Sequence, residues 1–118
     1  MKLYPTLRYD DPRAAHDWLQ RALGFESVSV SEADGRIQHA EMRWGEDLIM
    51  FGAPNDAFPK SPAVVYVTCE DPDAAHARAA AAEGGSVGEL VDRDYGSREF
   101  TVHDPEGHTW TFGTYEPR

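Results

Sequence analysis

At 118 residues the chain is long enough for one domain with a real core and too short for two independent ones. Its 21 acidic residues outnumber 11 basic ones, and the resulting charge of -10 disfavours nucleic acid and anionic membranes as partners, since both bind through Lys and Arg. No apolar run nears the roughly 20 residues that cross a bilayer, Met1-Lys2-Leu3-Tyr4-Pro5 has no signal-peptide core, and the single Cys69 cannot close an internal disulfide, so a cytoplasmic protein is expected.

Leu3, Leu7 and Tyr9 alternate with Tyr4, Thr6 and Arg8, the period-two pattern of a strand with two unlike faces. Asp11 then offers an N-cap carboxylate and Pro12 suits the first helical position, where its missing N–H costs nothing. Ala15, Trp18, Leu19 and Ala22 recur at helical spacing as one apolar stripe, and Gly24 supplies a left-handed stop. Three short strands follow near Ser27–Ser31, Ile37–Trp44 and Leu48–Phe51, with turns at Asp34-Gly35 and Gly45-Glu46-Asp47.

The pattern then repeats. Asp11-Pro12-Arg13-Ala14-Ala15-His16 returns as Asp71-Pro72-Asp73-Ala74-Ala75-His76, an offset of 60 (71 minus 11), and Met50-Phe51-Gly52 resembles Thr111-Phe112-Gly113 at an offset of 61 (111 minus 50). The second copy reads as a strand Val64–Thr68, an alanine-rich helix Pro72–Glu83, and strands near Ser86–Val91, Ser97–Val102 and Thr109–Thr114. Pro54, Pro59 and Pro62 cannot donate to a central ladder and mark the link between copies. The expectation is a single α+β domain over residues 1–118, with repeat one at 1–52, a linker at 53–62 and repeat two at 63–118. Two βαβββ units would give a cupped, mostly antiparallel mixed sheet with two main helices. One helix per four strands leaves a sheet face uncovered, and two such faces can cup around a pocket.

Several residues carry a resemblance. Arg21-Ala22-Leu23-Gly24-Phe25 closes the first helix, Tyr95-Gly96-Ser97-Arg98-Glu99-Phe100 precedes Asp104-Pro105-Glu106-Gly107, and Thr109-Trp110-Thr111-Phe112 completes the last hairpin. Over the whole chain this resembles the vicinal-oxygen-chelate superfamily of glyoxalase I, extradiol dioxygenases, some epimerases and bleomycin-resistance proteins. In its metal-dependent members, His, Glu or Gln ligands come from the first and last strand of each copy. The resemblance puts those positions on Tyr4, Met50, Val64 and Thr111, which are poor donors for a hard divalent ion. No metal and no other cofactor is therefore expected.

Strand alternation from Tyr4 makes Tyr4, Thr6, Arg8, Leu48, Met50, Tyr66, Thr68, Thr109 and Thr111 the expected pocket lining, suited to an amphipathic or flat organic molecule. Arg8 would suit a carboxylate or phosphate on it. The resemblance is nearest to the bleomycin-resistance branch and implies a non-catalytic, antibiotic-sequestering homodimer. The alternative is a metal-dependent lyase, isomerase or dioxygenase whose ligands lie elsewhere, with His39, His103, His108, Glu41 and Glu99 as the available donors. A metal-free enzyme using Tyr4 or Arg8 as acid or clamp is a third. His39 and Glu41 share a strand face that is expected to be solvated or dimer-facing. His16 and His76 are expected on the helix surfaces. Cys69 precedes Glu70-Asp71, whose charge opposes a reactive thiolate.

Overall fold

A computed structural model describes residues 1–117 as two compact units, divided between Ser61 and Pro62. In the first unit β1 (Thr6–Arg8) leads to α1 (Pro12–Trp18), a π-helical turn (Leu19–Leu23), and β2 (Glu26–Ala33), β3 (Arg36–Trp44) and β4 (Asp47–Gly52). The sheet order is β1-β4-β3-β2, with β1 parallel to β4 and the other pairs antiparallel. The second unit has β5 (Val64–Thr68), α2 (Pro72–Ala81), β6 (Ser86–Val87), β7 (Val91–Asp92), β8 (Arg98–His103) and β9 (Thr109–Gly113). Its order is β5-β9-β8-β6, with β7 also on β8 and β5 parallel to β9. The architecture is α+β, with two helices and two mixed sheets.

Both helices begin alike because their sequences do. Asp11 and Asp71 each accept a hydrogen bond, at 3.1 Å, from the backbone N–H of Ala14 and Ala74, and a proline follows each cap. The first unit's core is Leu7, Tyr9, Ala15, Trp18, Leu19, Ala22, Phe25, Ala40, Met42, Ile49 and Phe51, all buried. Truncating Leu19, which is wholly buried, to alanine would cost about 2–5 kcal/mol. By contrast α2 buries only Pro72 and Ala79, because alanine offers little apolar area.

The structure amends the sequence reading in five places. The first strand starts at Thr6, and Leu3 and Tyr4 precede it and are exposed. The first helix ends in a π-turn, where the N–H groups of Gly24 and Phe25 both donate to the Leu19 carbonyl and Gly24 takes a left-handed φ of 84°. The strand expected over Ser86–Val91 is two, β6 and β7, interrupted near Gly88, where a side chain would press on the Thr101 carbonyl at 3.0 Å. His16 is buried, with Nε2 2.9 Å from the Ser27 hydroxyl and Nδ1 3.0 Å from Asp17. His76 is half-buried, edge-on to Phe100 with centroids 5.1 Å apart and Nε2 2.9 Å from the Gly88 carbonyl. Each imidazole flanks the apolar stripe closely enough to reach the neighbouring strand or turn.

Candidate functional site

In each unit one sheet face carries the buried core and the other lacks a helix. Alternation along β1 and β4 puts Leu7, Ile49 and Phe51 in the first core and Thr6, Arg8, Leu48 and Met50 on the open face. A β-bulge at Gln38 lets Ile37 and Ala40 both be buried, so His39 and Glu41 fall on that open face too. The register aligns Thr6, Met50, Glu41 and Ser29 in one row across all four strands. His39 Nε2 lies 3.0 Å from a Glu41 carboxylate oxygen, and both side chains are only partly exposed. They therefore share the face of Met50.

Arg8 is half-buried. Its guanidinium donates to the Ala53 carbonyl at 3.2 Å and lies 5.4 Å from the centroid of the Phe58 ring. Gly52 makes room for it: a Cβ there would stand 3.2 Å from Arg8 Nη1 and 2.6 Å from the Gln38 carbonyl. Tyr4 lies outside the strand and is exposed.

The second unit repeats the layout with different chemistry. Tyr66, Thr111 and Thr101 form the row equivalent to Thr6, Met50 and Glu41, at offsets of 60, 61 and 60. Flanking rows are Val64, Thr109 and His103, and Thr68, Gly113 and Glu99. The Thr101 and Thr111 hydroxyls are 2.9 Å apart, His103 Nδ1 is 3.1 Å from the Thr109 hydroxyl, and the Tyr66 hydroxyl donates to the Tyr115 carbonyl at 2.7 Å. His108 is buried in the β8–β9 turn, where its Nδ1 accepts the Ala63 N–H at 3.0 Å, a structural contact.

Glu99 was absent from the expected lining and is the most constrained acid on this face. Its carboxylate accepts hydrogen bonds from Ser97 (2.9 Å), Tyr95 (2.9 Å) and Arg93 Nε (3.1 Å). Burial pushes the carboxyl up, but the hydrogen bonds from Ser97, Tyr95 and Arg93 prevail and hold it below the usual carboxylate range. The signal was present in the sequence: Glu99 stands two residues before Thr101, hence on the same face.

One cavity, of about 340 Å³, opens in the first unit between the start of α1 and the β2–β3 turn, walled by Asp10, Arg13, Arg36 and Ile37. None of the nine expected lining residues belongs to it.

The family model of the glyoxalase/bleomycin resistance protein/dioxygenase superfamily matches residues 3–112. The chain belongs to that superfamily. Among solved structures, TioX from Micromonospora sp. ML1 is 30% identical with a TM-score of 0.83, covering 98% of this chain and 100% of that one. The bleomycin-binding protein of Streptomyces verticillus, solved with copper(II)-bleomycin, is 24% identical at a TM-score of 0.72, covering 98% and 97%. A lactoylglutathione lyase from Agrobacterium tumefaciens is 21% identical at 0.73, covering 96% and 92%. The glyoxalase/bleomycin-resistance fold thus serves both a binding protein and an enzyme.

The four positions at which the sequence resemblance places metal ligands hold Tyr4, Met50, Val64 and Thr111. Val64 offers no donor, Thr111 is engaged with Thr101, and Met50 presents a thioether. Among the described residues no three His, Cys, Asp or Glu side chains gather closely enough to hold an ion. The donor set does not fit a hard divalent metal. Among the described residues no helix is long and apolar enough to cross a membrane.

Proposed function

We propose that this protein is a non-catalytic small-molecule binding protein of the glyoxalase/bleomycin-resistance type, which sequesters an amphipathic or cationic organic ligand against its open sheet faces. The observation that carries this is the composition of the central rows. At two positions that the resemblance assigns to metal ligands this chain has a thioether at Met50 and a hydroxyl at Thr111, in rows with Thr6, Glu41, Tyr66 and Thr101. Such a mixed wall suits contact with an organic molecule oriented by a few polar groups. The acid excess of the chain favours a cationic one. The proposal includes Tyr4, Arg8, Leu48, Thr68 and Thr109 as further lining and a cytoplasmic homodimer that covers strand edges. Sequestration of an antibiotic is the use it implies.

Trp44, half-buried at the end of β3 and 5.6 Å from Phe25 between ring centroids, provides a probe. A library of amphipathic and cationic compounds, antibiotics included, should contain ligands that change tryptophan emission saturably and are recovered chemically unchanged. Turnover of a bound compound would overturn the non-catalytic reading.

One observation favours a second reading. The His39–Glu41 pair, 3.0 Å apart beside Met50, is the kind of couple that moves a proton. An enzyme of lyase, isomerase or dioxygenase type would lose turnover on His39→Ala while keeping affinity.

A further inference from the structure

The end of the second sheet holds an arrangement that the expected lining did not include. Tyr66, Tyr95 and Tyr115 are all substantially exposed, yet they are not scattered. Tyr115 stands edge-to-face with both others, with centroids 6.5 Å from Tyr66 at 65° and 5.6 Å from Tyr95 at 83°. The three rings thus form one exposed aromatic cluster, and the ring faces it leaves open to solvent carry the negative lobe of the quadrupole. The Glu99 carboxylate lies beside them, tied to the Tyr95 hydroxyl, with its side chain only 8% exposed.

Gly113 makes the arrangement possible. A Cβ on it would lie 2.6 Å from the Tyr66 hydroxyl and 3.0 Å from Glu99 Oε2, so only a glycine lets phenol and carboxylate close over this strand together. A carboxylate accepts about four hydrogen bonds. Arg93 and Tyr95 donate to Oε1 and Ser97 donates to Oε2, which leaves an acceptor position on the oxygen beside Gly113 and Tyr66.

We propose that Tyr66, Tyr95 and Tyr115, standing over the Glu99 carboxylate, form a site for the alkylammonium group of an organic ligand. It deepens the binding-protein reading and rests on it. Tyrosine faces attract a soft, weakly hydrated cation, and a nearby carboxylate strengthens that attraction when it is shielded from water. Glu99 meets that condition, being only 8% exposed, and its hydrogen bonds hold the carboxyl below the usual carboxylate range. Arg93 neutralises part of its charge, but the segment from Asp92 to Glu99 still carries three carboxylates against two arginines. An anionic headgroup is disfavoured by the same groups.

Choline and its neutral isostere 3,3-dimethylbutan-1-ol separate charge from shape. In amide-shift NMR titrations, choline should shift Tyr95, Glu99, Gly113 and Tyr115 saturably, and the isostere should bind about 5–10-fold more weakly. Tyr115→Leu removes an exposed ring while leaving the backbone carbonyl that Tyr66 uses, and should weaken choline about fivefold or more. Glu99→Gln should do likewise, and if that variant fails to fold, Tyr115→Leu alone decides. Equal binding of the two probes, unchanged choline affinity in Tyr115→Leu, or no saturable shift would overturn the ammonium site. Saturable binding of the neutral probe, or library compounds that still change tryptophan emission saturably in Tyr115→Leu, would leave the small-molecule function standing without it. Failure of both would remove the two together.

Discussion

Replacing Asp104 with alanine is the sharpest test of how the β8–β9 turn is held. Asp104 is 4% exposed, and one carboxylate oxygen accepts the backbone N–H of Glu106 and of His108, both at 3.0 Å. The other accepts the Trp110 indole N–H at 3.1 Å. Glu106 is half-exposed and can turn to water, whereas His108 and Trp110 are buried at 1% and 0% exposure. Two buried donors therefore lose an acceptor, at roughly 1–3 kcal/mol each, or about 4 kcal/mol together. A domain of this size has about 5–15 kcal/mol to lose, so the variant should still fold. With a urea dependence near 2 kcal/mol/M the midpoint should fall by about 2 M. Asp104→Asn keeps one acceptor oxygen and should lose about half as much, because its amide cannot serve the amides and the indole at once. Equilibrium urea unfolding followed by tryptophan emission measures both. A shift below about 0.5 M for the alanine variant would refute the assignment of this carboxylate as the turn's clamp.

Three further outcomes are expected. Gly52→Ala should destabilise by about 1–3 kcal/mol in the same assay, since its Cβ would meet the backbone carbonyl of Gln38 at 2.6 Å and backbone cannot step aside cheaply. Glu99, held below the usual range when folded, contributes stability above the unfolded carboxylate value near 4.3, and loses it as pH falls through the folded value. Unfolding free energy should therefore drop below about pH 5, and Glu99→Gln should flatten that drop, as urea titrations between about pH 3 and 7 will read. The Cys69 thiol is pushed up by burial and by Asp71, so alkylation by iodoacetamide at neutral pH should be slower than that of glutathione. Asp71→Asn, which retains a capping oxygen, should speed it, and a Cys69 faster than glutathione in the parent protein would contradict the assignment.

Much of the fold was legible because its punctuation is chemical. The paired Asp-Pro caps, each followed by an alanine-rich run, mark two helix starts, and Met50-Phe51-Gly52 with Thr111-Phe112-Gly113 marks the same strand end twice. What escaped depends on shifts of one residue. The π-turn at Leu19–Leu23 uses the same apolar spacing as an α-helix and differs only in which carbonyl accepts. The bulge at Gln38 changes which residues of β3 share a face, and no residue type there announces it. His16 was misread because helical spacing ranks it beside the stripe, while its ring is long enough to reach Ser27. Period two put Thr109 and Thr111 on one face, and the same rule extended from Thr101 would have found Glu99. The tyrosine cluster could not have been read that way, because Tyr95 lies on a turn and Tyr115 in the irregular segment after β9, and their approach to β5 is a matter of tertiary structure.

Metal content tests the central claim most directly. Protein purified without a histidine tag and then exposed in turn to nickel, manganese, zinc and iron should, after desalting, retain none near one equivalent per chain by elemental analysis. Its ligand-induced tryptophan response should be indifferent to chelator. Stoichiometric retention of any one of these metals, lost on His39→Ala or Glu41→Gln, would contradict the account and make the His39–Glu41 face an enzyme's metal centre.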